Sequence, residues 1–186
     1  MTVRRRALER LARGLEAVSE ATGRATAWLS ILLVSLVSYD VAMRYAFRGG
    51  SVALQELEWH LFALIFLIGA AYTLKHDAHV RVDMLYQRLG TQGRAWVDLL
   101  GTLLFLLPFC VLVMAGSAPF VLNAFSLHEV SPDPGGLGYR YLIKSAIPLG
   151  FLLLALQGVA EAIKNILIIL DARTVRKAAP HPRDVG

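Results

Sequence analysis

Four long apolar runs, separated by short polar connectors, constrain this chain more than any other feature. They cover about 26–47, 54–74, 96–118 and 141–170. A helix needs about 20 mostly apolar residues to cross the hydrocarbon core of a bilayer. Each run meets that length, so the chain is predicted to be an all-α integral membrane protein of four transmembrane helices. The composition leads to the same place. Of its 186 residues, 56% are hydrophobic, and mean hydropathy is +0.54. A soluble domain is typically about 45–50% apolar, and one of this size cannot bury the excess alone.

Residues 1–24 are basic and periodic. Leu8, Leu11, Ala12, Leu15 and Val18 recur at helical spacing, with Arg4, Arg5, Arg6, Arg10 and Arg13 around them. This pattern reads as an amphipathic arm lying in the membrane interface on anionic lipid. The alternative is a frayed tail whose arginines only set topology. The first apolar run begins near Ala27, too late and too long for a cleavable signal peptide, and is read as a retained first span.

Basic residues in the connectors set orientation. They cluster before the first run, between the second and third (Lys75, Arg81, Arg88, Arg94), and after the fourth (Arg173, Arg176, Lys177, Arg183). The other two connectors carry only Arg48 and Arg140. By the positive-inside rule, both termini and the middle connector face the cytoplasm. The Gly49-Gly50 turn and the loop over 120–139 then face outward. The expected plan is an arm over 1–24, a four-span domain over 25–170, and a flexible polar tail over 171–186.

Several polar residues fall where lipid is expected. Asp40 and Arg44 are four apart, share a helix face and can pair. The pair reads either as an ion pair reaching for the headgroups or as a contact with a partner subunit or an ion path. Glu56 and His60 share a face at the start of the second run, and Glu58 does not. They suit either the helix dipole or a proton or metal site. His76, His79 and Asp83 have ligand-like spacing on a helix, but a structural role for Asp83 at the end of the bundle fits as well. Gln157, Glu161 and Asn165 follow at i, i+4 and i+8 and share one face, which predicts an interface within the chain or between subunits. Lys164 lies three residues from Glu161 and can neutralise it. Pro108, in the middle of the third run, removes a backbone donor and is expected to kink the helix.

Other function classes lack their signatures. The net charge of +5 and pI near 9.7 do not arise from basic residues interleaved with aromatics, so no nucleic-acid partner is expected. The single cysteine, Cys110, sits in an apolar run, where a small buried hydrophobe is expected. It can form neither an internal disulfide nor a C-x-x-C pair. No phosphate-binding Walker loop, Gly-x-Ser-x-Gly or His-Glu-x-x-His motif occurs. No catalytic residue, cofactor or metal is expected. The residues alone suggest a scaffold or accessory subunit of a larger machine.

Specific motifs then resemble one family. Arg44-Tyr45-x-Phe47 closes the first span, Gln55-Glu56-Leu57 opens the second, and Gly69-Ala70-Ala71-Tyr72 closes it. His79-Val80-Arg81-Val82-Asp83 follows in the connector, and Trp96-x-Asp98-Leu99 opens the third span. Glu129-x-Ser131-Pro132, Gly135-Gly136-Leu137 and Lys144-x-x-Ile147-Pro148-Leu149-Gly150-Phe151 lead into the fourth. Over about Trp28 to Leu170 the chain resembles the small, DctQ-type membrane subunit (Q) of tripartite ATP-independent periplasmic (TRAP) transporters. Gln55 departs from the family pattern, which often has a second acidic residue beside Glu56.

The resemblance implies a bacterial inner-membrane protein. It implies a sodium-driven importer of organic acids, in which this subunit is a fixed scaffold for a large elevator-type membrane subunit (M). A periplasmic substrate-binding protein (P) docks on the outer face. Asp40, Arg44, Glu56, His79, Arg81, Asp83, Gln157 and Glu161 are then candidates to fix the bundle or its contact with the large subunit. Glu129, Asp133 and Arg140 are candidates for the docking face. Three rival readings stand beside it: a self-sufficient small transporter, an electron carrier and an assembly factor. The late, partnered position of Asp40 argues against the first.

Overall fold

The computed structural model describes residues 3–76, 86 and 88–178. His79, Arg81 and Asp83 lie outside the described residues, as does most of the connector around them. Every regular element among the described residues is a helix. Helix α1 covers Val3–Phe47 and α2 covers Val52–Lys75. The third apolar run forms α3 (Thr91–Gly101), a π-helical turn (Thr102–Leu106) and α4 (Leu107–Ser126). Helix α5 covers Arg140–Ala178. Four stretches are long and apolar enough to cross a membrane: α1, α2, α3 through α4, and α5. The chain is thus a multi-pass, all-α membrane protein.

Two of these helices outrun a bilayer. With 45 residues in α1, at 1.5 Å per residue, that helix is about 68 Å long. The hydrocarbon core is about 30 Å thick. The arm and the first span are one unbroken helix, with no proline between them to interrupt the backbone ladder. Part of the arm's apolar stripe is buried against protein: Ala12 and Leu15 pack with Val159, Ala160, Ile163 and Leu167 of α5. Leu8, Leu11 and Val18 remain exposed, as do Arg4, Arg6, Arg10 and Arg13. The C-terminal half of α5 runs antiparallel to the arm, so both extensions emerge at the same end of the bundle, the arm end.

Helix α5 is the hub and packs against α1, α2, α3 and α4. Its most apolar stretch is 39% buried, against 11% for α1 and α2. The core is built from small residues: Ala71, Ala95, Ala124, Ala146, Ala160 and Ala162 are all buried. Small side chains let helices approach closely where no hydrophobic effect drives them together. Gly150 shows how close: a Cβ there would lie 2.7 Å from the Leu67 carbonyl oxygen of α2. Outward faces carry large apolar side chains instead, such as Trp28, Val34, Phe105, Leu112 and Leu142.

The π turn lies just ahead of Pro108. Proline has no N–H, and its ring collides with the carbonyl four residues back. Over Thr102–Leu106 the ladder shifts by one residue, with the Leu107 N–H donating to the Thr102 carbonyl. Wider turns of this kind occur mostly as single-turn bulges inside α-helices. Here the bulge takes the chain into α4 with Pro108 in its first turn, where a missing donor costs nothing.

Candidate interaction sites at the two ends of the bundle

At the end opposite the arm, the loop end, one carboxylate organises the connector between α4 and α5. Helix α2 begins at the cap Ser51, whose hydroxyl accepts from the Leu54 N–H. This start places Glu56 one turn in, 6% exposed. Its Oε1 accepts from the Ser131 hydroxyl at 2.5 Å, and its Oε2 accepts from the Leu137 N–H at 2.5 Å. The loop closes on itself through Ser131 N–H to the Leu137 carbonyl and Gly136 N–H to the Asp133 carbonyl, each 3.0 Å. Gly136 is required by space: a Cβ would come within 2.4 Å of the Ser131 hydroxyl and 2.8 Å of Glu56 Oε2. Its neighbour Gly135 has φ +83°, a conformation that glycine adopts without strain. His60 does not meet the Glu56 carboxylate; its Nδ1 contacts the Glu56 backbone carbonyl. Among the described residues no three potential metal ligands converge.

The three residues expected on the docking face lie around this loop. Glu129 is ion-paired to Lys144 and lies 3.8 Å from Arg140 Nε. The Arg140 guanidinium sits 5.8 Å from the Trp59 ring centre. Asp133 is exposed, and its N–H donates to the Ser131 hydroxyl. Gln55, Glu56, Trp59, Asp133 and Arg140 border a small cavity of about 280 Å³. His128 and Tyr139, one at each end of the loop, have φ of 47° and 57°. Each costs about 1 kcal/mol of backbone strain or more, held in place by the loop's internal bonds.

At the arm end a polar ladder joins α1 to α5. Ser19 donates to Gln157 Oε1 at 2.7 Å, and both side chains are fully buried. Gln157 donates onward to Glu161 at 3.1 Å. Lys164 bridges Glu161 at 3.0 Å and Glu16 at 2.6 Å. Arg5 grips Asp171 with both terminal nitrogens, at 2.7 and 2.8 Å. A second link ties the arm to α2, where Lys75 meets Glu20 at 2.6 Å. The face shared by Gln157 and Glu161 is therefore turned inward, against α1. The sequence pattern showed that face but not Ser19, Glu16 and Glu20 on the arm. A signal existed: Glu9, Glu16 and Glu20 fall within about 40° of one another on a helix.

Asp40 and Arg44 form an ion pair on α1. Asp40 is 2% exposed, and its Oδ1 has no partner among the described residues. The Arg44 side chain is half-exposed, so it is the outward member of the pair. Cys110 is fully buried.

Comparison with known proteins agrees with this architecture. Residues 33–167 match the family described as tripartite ATP-independent periplasmic transporters, DctQ component. A protein of Haemophilus influenzae, named as a TRAP transporter small permease, is 30% identical over 109 residues, covering 58% of this chain and 67% of the relative. The ectoine TRAP transporter small permease protein TeaB of Halomonas elongata is 27% identical over 137 residues, covering 73% of this chain and 69% of the relative. The matched segment takes in most of all four spans, the Glu56-anchored loop and the Gln157, Glu161 and Lys164 side of the polar ladder, and on it the chain belongs to the DctQ-component family, the small permease subunits of TRAP transporters.

Proposed function

We propose that this chain is the fixed scaffold subunit of a sodium-driven TRAP transporter that imports organic acids across the bacterial inner membrane. The observation that carries the reading is where the polar side chains of the spans go. Ser19 bonds to Gln157 and Lys164 to Glu16 between helices, Glu161 joins Gln157 to Lys164 along α5, and Glu56 is committed to the outer loop. Such contacts make a frame, and the broad apolar outer faces of α1 and α4 suit lipid and a large membrane partner. Half-exposed Arg44 is a charged group that the first span presents on such a face. His79, Arg81 and Asp83 belong to the same proposed set.

Orientation follows from the basic connectors: arm and tail in the cytoplasm, the Glu56 loop in the periplasm. Asp133, Arg140 and the cavity beside Trp59 then offer a docking face for a periplasmic substrate-binding protein. Exposed Arg4, Arg6, Arg10 and Arg13 suit anionic lipid at the cytoplasmic surface. The organic-acid reading rests on the family resemblance, and the ectoine transporter relative marks the breadth of substrates to test.

The test is to tag this chain in its native membrane, solubilise it gently and identify what co-purifies. A companion of many spans at equal stoichiometry, with sodium-driven uptake that needs both chains and a periplasmic protein, is expected. A chain that purifies alone and moves solute by itself in liposomes would overturn the reading.

A further inference from the structure

Two buried side-chain oxygens have no hydrogen-bond partner among the described residues: Asp40 Oδ1 on α1 and Glu58 Oε1 on α2. The register of the two helices brings them to one place. Glu20 meets Lys75, a Cβ at Gly23 would strike the Tyr72 ring, and one at Gly69 would touch Thr26. Each step of three residues along α1 is matched by a step of three back along α2. Asp40 lies fourteen residues beyond Thr26, and Glu58 eleven before Gly69. Each thus keeps, within about 40°, the face of the residue it is counted from. Their levels along the bundle differ by about 5 Å. Side chains lean toward the N-terminus of their own helix, and α1 and α2 run antiparallel. Asp40 therefore leans toward the level of Glu58, and Glu58 toward the level of Asp40.

The charges say what belongs between them. Arg44 neutralises Asp40 through Oδ2 alone and is itself half-exposed. Glu58 has no ion pair among the described residues. Asp40, Arg44 and Glu58 together carry one negative charge in excess, inside the spans. A carboxylate there is costly unless a positive charge meets it, and a single positive charge restores the balance. Both free oxygens are sealed from solvent. A long cationic side chain from a partner has no way to them, whereas a bare ion fits between two carboxylates. Calcium and magnesium want six or more oxygen ligands, more than this pair supplies. We infer that Asp40 and Glu58 together hold a monovalent metal ion, of the sodium and potassium class, between the first and second spans. The ion would tie α1 to α2 near the loop end, as the Lys75–Glu20 pair does at the arm end. The site lies wholly within this chain and does not rest on the scaffold reading.

The experiment uses the purified full chain in detergent. Its unfolding temperature is followed while tetramethylammonium chloride is exchanged for sodium or potassium chloride at constant ionic strength, so that screening stays the same. Sodium or potassium is expected to give a saturable rise, about 4 °C at about ten times its dissociation constant. Magnesium chloride at equal ionic strength is expected to do less. Glu58→Gln and Asp40→Asn are each expected to abolish the rise. Glu58→Lys places a tethered ammonium beside Asp40 and is expected to make the chain indifferent to the metal ion. If Asp40→Asn does not fold, the two Glu58 variants and the titration of the unaltered chain still decide. Infrared difference spectra of the same exchange are expected to show a carboxylate band that moves with the ion and is lost in Glu58→Gln. Equal unfolding temperatures in all salts, a larger effect of magnesium, or a rise that survives in a folded Glu58→Gln or Glu58→Lys chain would each overturn the proposal. So would a protonated carboxyl band that persists in saturating sodium and potassium and disappears in Glu58→Gln, which would put a proton in the ion's place.

Discussion

The two ends of this bundle are held by different physics. At the loop end a single buried carboxylate, Glu56, fastens a turn of some ten residues by two short hydrogen bonds. The loop's other bonds are internal to it or to its stem, and Gly136 leaves no room for a substitute. At the arm end two long helices are tied by a series of contacts, from fully buried Ser19–Gln157 to Arg5–Asp171, whose side chains are 32% and 51% exposed. Each rung is individually modest, and neighbouring rungs overlap through Glu161 and Lys164. A buried, charged hydrogen bond is worth more than an exposed ion pair, because the lost partner leaves a desolvated group behind. The loop end should therefore fail all at once, and the arm end by degrees.

The sharpest way to break that comparison is Glu56→Ala. It removes two hydrogen bonds to a charged group and leaves the Leu137 N–H without its acceptor. A loss on the order of 3 kcal/mol is expected, with faster amide exchange confined to the loop, read by hydrogen exchange and thermal unfolding in detergent. A loss below that of any single arm-end variant would reverse the ranking of the two ends. Next comes Gln157→Leu, expected to cost about 2 kcal/mol by stranding Ser19. Adding Ser19→Ala to it should cost less than the sum of the two single changes, the mark of a shared bond in a double-mutant cycle. Lys164→Ala should cost about 1 kcal/mol, because the partly exposed lysine serves two carboxylates that other groups and water also reach. Arg5→Ala should cost less than about 1 kcal/mol. Its cost should fade at 1 M salt, where screening acts over about 3 Å, while that of Glu56→Ala should not.

Sequence and structure agree most where the physics is local. The four spans were legible because a bilayer demands length and hydropathy together, and Gln157 and Glu161 were legible as one face because helical periodicity is local. Asp40 and Arg44 could be paired from their spacing alone. Glu56 stood out as a carboxylate in a span, but its partners, Ser131 and Leu137, lie 75 and 81 residues away, beyond any local pattern. The arm was legible as an amphipathic helix from its leucines and arginines. Its docking on α5 was not, because the leucine stripe fits lipid and protein equally well. Only the acidic residues Glu16 and Glu20, set against Lys164 and Lys75, carried that information. The π turn had one clue, Pro108, which pointed to an irregularity but not to its form.

In the proposed scaffold role, this subunit is a frame that stays still while its partner moves. The most direct test is a distance measured within this chain during transport. Cys110 is fully buried, so spin labels can be placed on an otherwise unlabelled background at Leu11→Cys on the arm and Leu127→Cys on the loop, both exposed. The distance between them is read in the assembled transporter with and without sodium and substrate. One unchanged distance is expected in every state. A shift of about 5 Å, the pitch of one helical turn, that tracks substrate or sodium would contradict it and make this chain part of the moving machinery.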